Sequence, residues 1–146
     1  MIAVALADDS PLQRAGYRMV LESQPDIEVV GEAGDGITFM RLAHQKRIDV
    51  ALIDVQMPRM NGIRTAQRVL EDKRMLEFGR RPRVILLASV DIEDHIAAAS
   101  ASDAYALLYK DVRPEVLLEA IRLAASAPDP ALPPTPEPFS LRRGEE

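Results

Sequence analysis

Residues 2–13 read IAVALADDSPLQ, a short apolar run that ends in two aspartates and continues into a helix start. The run Ile2–Ala7 is nearly continuous rather than alternating, as expected for a parallel strand that is buried on both faces. Ser10 can cap a helix, and a first-turn proline and a capping-box glutamine follow it. The segment therefore predicts a strand that leads directly into a helix, with Asp8 and Asp9 at the junction.

The same alternation of apolar run and amphipathic stretch continues along the chain. Four further apolar runs occupy residues 27–30, 50–53, 84–88 and 104–108. Five strand–helix repeats predict an α/β fold, in which five helices cover a doubly wound, five-stranded parallel sheet with right-handed crossovers.

Helical periodicity indicates which helix faces are apolar, and these faces are expected to pack on the sheet. The residues concerned are Leu12, Gly16, Met19 and Val20 in the first helix, Ile92, Ile96 and Ala99 in the fourth helix (with Asp91 as its N-cap), and Leu117, Ala120, Ile121 and Ala124 in the last helix.

Composition argues against several classes of protein. The 146 residues carry a formal net charge of -5, which disfavours nucleic-acid binding by this chain itself. No cysteine is present, which excludes disulfides, a thiolate nucleophile and cysteine-based metal sites. The first apolar run lacks the basic leader of a signal peptide, and no apolar segment approaches the length of a membrane span. We therefore expect a cytoplasmic protein with no membrane contact.

A change in composition marks a boundary near Ser126. Residues 127–138 hold six of the 11 prolines, which is typical of an extended linker. We predict a folded domain at residues 1–126 and a linker and tail at residues 127–146, leading to a further domain that is not in this chain. A natural disordered tail is the alternative.

Three carboxylates are expected to meet at one edge of the predicted sheet. Asp8 and Asp9 end the first strand and Asp54 ends the third, and the carboxyl ends of parallel strands share an edge. Like charges that converge need a neutralising partner, and Mg²⁺ prefers carboxylates, water and phosphate oxygens. Helix capping by the first two aspartates is the simpler alternative, but it does not explain Asp54.

A lysine completes this cluster. Lys110 follows the fifth apolar run, so it reaches the same edge and can pair with a phosphoryl oxygen. With Mg²⁺ present, a carboxylate can attack the phosphorus of a phosphohistidine or a small phosphodonor, and the product is an acyl phosphate.

Four segments together resemble the receiver domain of bacterial two-component response regulators. They are residues 7–10 (ADDS), 29–36 (VVGEAGDG), 54–62 (DVQMPRMNG) and 108–111 (LYKD). The second segment and the Lys-Asp ending resemble the branch that carries a LuxR-type helix-turn-helix output domain. The resemblance covers about residues 2–125, and it implies a flavodoxin-like sheet with strand order 2-1-3-4-5.

The resemblance also implies roles for individual residues. Asp54 would be the phosphoacceptor, and Lys110 would contact the phosphoryl group. Asp9, Asp54 and the main-chain carbonyl of Gln56 would hold Mg²⁺, with Asp8 helping through a water molecule.

Partners and output follow from the same resemblance. A sensor histidine kinase would supply the phosphoryl group, and transcription would be controlled through a DNA-binding domain absent from this chain. Members of this branch often form homodimers through the first and last helices. Such a domain takes part in its own phosphotransfer but is not a turnover enzyme.

Two positions depart from the family pattern. The hydroxyl residue expected 22 positions before Lys110 is Ala88, and the aromatic residue expected three positions before it is Leu107. Ser89 could replace the missing hydroxyl only if the fourth strand ends before it, because neighbouring residues in a strand point to opposite faces. The branch also commonly has Gly where this chain has Asp103. Phosphorylation would then persist with a weakened or re-routed readout, or Ser89 would restore ordinary switching.

Two other functions compete with this interpretation. An atypical receiver would act as a phosphorylation-independent interaction and dimerisation module, as Ala88 and Leu107 suggest. A small α/β hydrolase or phosphatase would use Asp54 as a turnover nucleophile, but no second acid–base group is visible beside it. Tyr105 and Tyr109 could shape a dimer surface or simply pack.

Two further groups of charged or titratable side chains are expected at or near the surface. We expect a solvated loop, rather than a partner patch, for Arg74, Arg80, Arg81 and Arg83, and surface or partly buried positions for His44 and His95.

Overall fold

The computed structural model describes residues 1–73, 75, 81–89, 92–128 and 140–142. Its strands are β1 (Ile2–Ala7), β2 (Ile27–Ala33), β3 (Val50–Asp54), β4 (Arg83–Ala88), β5 (Ala106–Tyr109) and β6 (Ser140–Arg142). Its helices are α1 (Pro11–Glu22), α2 (Gly36–Gln45), α3 (Gly62–Glu71), α4 (Ile96–Ala101) and α5 (Pro114–Ser126), and a 3-10 turn, Ile92–His95, precedes α4.

The predicted α/β architecture is confirmed. The strands lie in the order β2-β1-β3-β4-β5-β6, and each neighbouring pair is parallel. The first five strands therefore have the expected order 2-1-3-4-5, with five helices around them.

The sixth strand was not expected from the sequence. It pairs with β5 in the register Ala106↔Ser140, Leu107↔Leu141 and Leu108↔Arg142. Three residues carry no periodic pattern of their own, but an edge strand such as β5 offers backbone groups that an extended segment can pair with.

Alternate residues of the strands point to two separate cores, one on each face of the sheet. One core, which we call the α2–α4 core, contains Ile53, Leu86 and Leu107 together with residues of α2, α3 and α4. The other, the α1–α5 core, contains Leu52 and Leu108 together with residues of α1 and α5.

Hydrogen-bonding side chains cap the N-termini of three helices. The Ser10 hydroxyl accepts a hydrogen bond from the Gln13 amide at 3.2 Å, which confirms the predicted start of α1. Asp35 caps α2 and Asn61 caps α3 in the same way. Within the described part of the chain, no helix is long and apolar enough to cross a lipid bilayer.

The predicted inward face is confirmed for α5, whereas for α1 it is correct for Val20 and wrong for the other three residues. Leu117, Ala120, Ile121 and Ala124 are at most 3% exposed. In α1, however, Leu12 is 83% exposed and Met19 is 75% exposed, and a side chain at Gly16 would meet nothing within 4 Å. The buried residue is Leu21, with Val20 packed beside it.

Two arginines on α1 join the buried face of this helix to β2. Arg14 Nε and Arg18 Nε pair with the two carboxylate oxygens of Glu32 on β2, at 3.0 and 2.6 Å. The long aliphatic stems of arginine can lie along apolar surface while the charged ends are bonded. The apolar residues that α1 does bury, Tyr17, Val20 and Leu21, also recur at helical spacing, on a face different from that of Leu12, Gly16 and Met19.

The beginning of α4 also differs from the prediction. The helix begins at Ile96 with His95 at its N-cap, and no side-chain bond caps it. Asp91 and the side chain of Ile92 lie outside the described residues. Ala99 is fully buried and Ile96 packs against the α2–α4 core, as predicted.

One arginine of the predicted surface loop is buried. Arg83, the first residue of β4, is 2% exposed, and its guanidinium donates hydrogen bonds to the carbonyl oxygens of Arg81 and Ala127. A buried guanidinium needs such acceptors. Arg74 and Arg80 lie outside the described residues.

Candidate functional site

Three carboxylates meet at the carboxyl edge of the sheet. Asp8 and Asp9 follow β1, Asp54 is the last residue of β3, and these two strands are neighbours. One oxygen of each residue lies within 4.8 Å of the others. Asp8 and Asp54 are buried, whereas Asp9 is exposed to solvent. The predicted convergence is therefore present, with one member open to ligands.

Backbone hydrogen bonds hold Asp8 in place. Its amide donates to the carbonyl of Ala33 at 3.0 Å, which fixes the end of β1 against β2. Its Oδ1 accepts a hydrogen bond from the Ser10 amide at 2.9 Å, and its carbonyl accepts one from Arg14 Nη1 at 2.5 Å. Asp8 is thus oriented by the start of the helix that the sequence predicted.

The segment after β3 fixes Asp54. Its Oδ1 accepts a hydrogen bond from the Gln56 amide at 3.1 Å. The Gly62 amide donates to the carbonyl of Val55 at 2.8 Å, so the start of α3 packs directly behind this turn. A Cβ atom at Gly62 would lie 2.0 Å from the Asp54 carbonyl oxygen. Glycine at this position is therefore needed for the close approach.

Lys110 connects the two buried carboxylates. Its Nζ donates to Asp54 Oδ2 at 2.8 Å and lies 3.1 Å from Asp8 Oδ2. Its amide donates to the carbonyl of Ala88 at 2.9 Å, so the residue after β5 is tied to the end of β4. Lysine, as a compact point charge, suits either a carboxylate or a phosphoryl oxygen here.

Burial and charge shift the pKa values of this pair in the same direction. Burial raises the pKa of Asp54 above its ordinary value, although the bonds from Lys110 and the Gln56 amide act against it. Burial would lower the pKa of Lys110, but the hydrogen bond to Asp54 and the negative charges of Asp54 and Asp8 outweigh it and raise that pKa. Two buried carboxylates, those of Asp8 and Asp54, therefore lie beside one lysine.

The donor set fits a hard divalent cation. Within the described part of the chain, the buried Asp8 Oδ2 accepts no hydrogen bond, although Lys110 Nζ is near. Three carboxylates, one of them exposed, are the kind of oxygen ligands that Mg²⁺ takes together with water. The position of the Gln56 main-chain carbonyl in such a site stays a prediction.

A cleft of about 490 Å³ opens beside the carboxylates. Its walls are formed by Asp9, Val55, Gln56, Met57, Pro58, Asn61, Ile63 and His95. The cleft leaves the cluster open to solvent on the side of Asp9. The sequence predicts only a surface or partly buried position for His95, and nothing local to α4 indicates that this residue forms part of the cleft wall.

The three predicted switch positions lie on β4 and β5 or directly after β4. Ala88 is the last residue of β4 and is buried, and Leu107 is fully buried in the α2–α4 core. Ser89 follows the end of the strand and is exposed. The strand therefore ends where it must for Ser89 to replace the hydroxyl, and that role stays a prediction. Asp103 has a φ of 63°, a left-handed conformation that favours Gly.

The chain matches a family model and curated proteins over most of its length. The model, described as the response regulator receiver domain, matches residues 4–122. YxjL, an uncharacterised transcriptional regulatory protein of Bacillus subtilis (strain 168), is 42% identical over 124 residues, or 85% of this chain and 54% of that protein. The nitrate/nitrite response regulator NarP of Escherichia coli (strain K12) is 41% identical over 122 residues, or 84% of this chain and 54% of that protein.

A solved structure agrees with both matches. The signal receiver domain of a response regulator, NarL, from Mycobacterium tuberculosis superposes with a TM-score of 0.76 at 30% identity, covering 87% of this chain and 98% of that chain. The chain spans only about half the length, 54%, of the curated relatives it matches.

Proposed function

This chain belongs to the response regulator receiver domain family, and we propose that it accepts a phosphoryl group on Asp54 in a Mg²⁺-dependent reaction. The observation that carries the proposal is the arrangement around Asp54. The residue is buried beside Asp8, one of its carboxylate oxygens lies within 4.8 Å of an oxygen of the exposed Asp9, and its Oδ2 accepts a hydrogen bond from Lys110 at 2.8 Å.

The chemistry follows from these groups. A carboxylate oxygen of Asp54 attacks the phosphorus of a phosphohistidine, and the P–N bond breaks. The histidine imidazole is the leaving group, and Asp54 becomes an acyl phosphate. Bound Mg²⁺ would neutralise charge on the phosphoryl oxygens. Asp9, Asp54 and the Gln56 carbonyl would hold the ion, and Asp8 would act through water. Lys110 can exchange its carboxylate partner for a phosphoryl oxygen.

The biological role proposed is control of transcription. A sensor histidine kinase would supply the phosphoryl group, and the domain would be a signalling switch in the cytoplasm rather than a turnover enzyme. Residues 1–126 would form the receiver and residues 127–146 the linker and tail leading to a DNA-binding domain outside this chain. The transcriptional relatives, of which this chain spans 54%, support that arrangement.

A homodimer is part of the same proposal. Leu12 and Met19 are exposed by 83% and 75%, and they lie two turns apart on one face of α1. Gly16 lies between them with open space around its Cα, so a second helix could approach closely. Leu123 of α5 is a further exposed apolar residue. A second copy of this chain would cover such a face.

Light scattering tests the dimer. With Mg²⁺ and beryllofluoride, the parent should form dimers that Met19→Glu abolishes. Ile37→Glu, which alters an exposed apolar residue of α2, should leave the dimer intact. A parent that remains monomeric with and without beryllofluoride would remove the dimer from the proposal.

Intact-mass measurement tests the phosphorylation. Incubation with Mg²⁺ and acetyl phosphate should add the mass of one phosphoryl group to the parent and nothing to Asp54→Ala. Asp26→Ala serves as the matched control, because Asp26 is a partly exposed aspartate just before β2, at the opposite edge of the sheet. Omission of Mg²⁺ should abolish the gain in mass.

The alternative function is favoured by the switch positions. Ala88 lacks a hydroxyl, and Leu107 is a buried aliphatic residue at the family's aromatic position. A parent that gains no mass from acetyl phosphate and does not respond to beryllofluoride would support an atypical receiver that acts only through partner binding.

A further inference from the structure

Ala88 and Leu107 occupy the two positions at which the family pattern has a hydroxyl residue and an aromatic residue. Ala88 has no hydroxyl to bond a phosphoryl group, and Leu107 is 0% exposed, so it has little space in which to move. The inference that follows rests on the proposed phosphorylation of Asp54. It concerns which residue carries the change from the site towards α4.

Tyr109 lies where such a residue must be. It is the last residue of β5, and its Cα pairs with that of Ala88 on β4. Its side chain packs against the α2–α4 core, on the same side of the sheet as Leu107, two residues earlier. Unlike Leu107, Tyr109 is only half-buried, so its ring can change position without opening the core.

The hydroxyl of Tyr109 reaches towards α4. It donates a hydrogen bond to Glu93 Oε1 at 3.5 Å. Glu93 belongs to the 3-10 turn Ile92–His95, which leads directly into α4. The first residue of that helix, Ile96, packs against the same core as Tyr109. A movement of the Tyr109 ring therefore reaches the beginning of α4 through one contact.

The other end of the route is the site itself. Lys110 follows Tyr109 directly, and its ammonium group bonds Asp54 while its amide bonds the carbonyl of Ala88. If the ammonium group of Lys110 exchanges Asp54 for another partner, the main chain of Lys110 is displaced. That main chain is hydrogen-bonded to Ala88, the last residue of β4. The peptide unit that joins Tyr109 to Lys110 is thus the shortest connection between Asp54 and the half-buried ring.

We propose that Tyr109 is the positioning residue that couples Asp54 to α4, in place of an aromatic residue at position 107. In the resting state its hydroxyl holds the 3-10 turn through Glu93. When Lys110 bonds a phosphoryl group instead of the Asp54 carboxylate, the end of β5 shifts and the Tyr109 ring moves with it. The hydrogen bond to Glu93 then breaks, and the turn before α4 is released. The two states differ in their contacts, which is what a coupled equilibrium requires.

Two matched tyrosine variants test the coupling. Tyr109→Phe removes only the hydroxyl, and Tyr105→Phe removes the hydroxyl of a tyrosine that packs against the other core. Amide NMR signals would be recorded with and without beryllofluoride and Mg²⁺, both for Asp54 and Lys110 and for residues 93–101. Loss of one hydrogen bond should shift a two-state equilibrium by about fivefold.

The proposal expects a defined pattern. Tyr109→Phe should move the signals of residues 93–101 towards their beryllofluoride positions before any is added, and the further change on addition should be smaller. The response at Asp54 and Lys110 should remain complete, and Tyr105→Phe should behave as the parent.

Other outcomes overturn it in distinguishable ways. If Asp54 and Lys110 respond but Tyr109→Phe gives the parental response in α4, the coupling role is refuted while phosphorylation stands. The same conclusion follows if Tyr105→Phe has the same effect as Tyr109→Phe. If the parent shows no response at Asp54 and Lys110, the proposed function fails and the coupling fails with it.

Discussion

Replacement of Gly62 by alanine should damage both the fold and the site, because this glycine packs against the backbone of Asp54. The added Cβ would lie 2.0 Å from the Asp54 carbonyl oxygen and 2.9 Å from Val55 Cα, whereas ordinary contacts begin at 3.4 Å. The nearest atoms are backbone, so neither can rotate away. Relief requires the end of β3 and the start of α3 to separate by roughly 1.4 Å.

The magnitude follows from that overlap. Forcing one extra methyl group into a closely packed position costs about 1–3 kcal/mol of folding free energy. A displacement of about 1 Å at a reacting group can reduce a rate by about a hundredfold. Gly62→Ala should therefore lower the free energy of unfolding by about 2 kcal/mol and slow the phosphorylation of Asp54 by at least about tenfold.

Urea unfolding and the rate of mass gain from acetyl phosphate measure the two effects. Gly16→Ala is the matched control, since it is also a helix glycine but a Cβ there meets nothing within 4 Å. In the interior of α1 the alanine should raise stability by up to about 1 kcal/mol and leave phosphorylation unchanged. Parental stability and parental phosphorylation in Gly62→Ala would refute the reasoning, as would an equal loss in both variants.

Three other outcomes follow from the structure. The Tyr17 hydroxyl is buried without a hydrogen-bond partner in the described part of the chain, and burial chiefly raises the pKa of Tyr17 to about 12; Tyr17→Phe should therefore raise the free energy of unfolding by about 1 kcal/mol in urea, and a loss would contradict this. Ala88→Thr restores a hydroxyl beside the site, so beryllofluoride should cause larger NMR shifts than in the parent; equal shifts would show that the hydroxyl does not limit the readout. Burial raises the pKa of Asp54, so the folded protein holds that proton more firmly than the unfolded chain, and stability is lost as pH rises through the raised pKa. Asp54→Asn removes this titration. Without Mg²⁺, the unfolding free energy of the variant minus that of the parent should therefore increase from acidic to neutral pH. Urea unfolding at several pH values measures this difference, and a constant difference would count against the prediction.

Much of the fold and part of the site could be predicted from local sequence patterns. Continuous apolar runs locate the buried parallel strands, and Ser10 marks the beginning of α1. The rule that functional groups gather beyond the carboxyl ends of parallel strands predicted that Asp8, Asp9, Asp54 and Lys110 would meet, and the structure brings them together. Their chemical roles stay predictions.

Other features depend on contacts between distant segments and could not be predicted. Glu32 of β2 pairs with Arg14 and Arg18 of α1, which lie 18 and 14 residues away. The burial of Arg83 depends on the carbonyl of Ala127, 44 residues later. The pairing of β6 depends on an open edge at β5. No local periodicity contains this information.

The sequence by itself determined the order of the elements and the carboxylates at the strand ends, because burial on both faces and the parallel crossover impose these patterns on the chain. Only the tertiary structure decided which side chains face one another. Tyr109 illustrates the difference, since its neighbours Ala88 and Glu93 lie 21 and 16 residues away along the chain. Strand pairing and the packing of the turn before α4 bring them together, and both are long-range contacts.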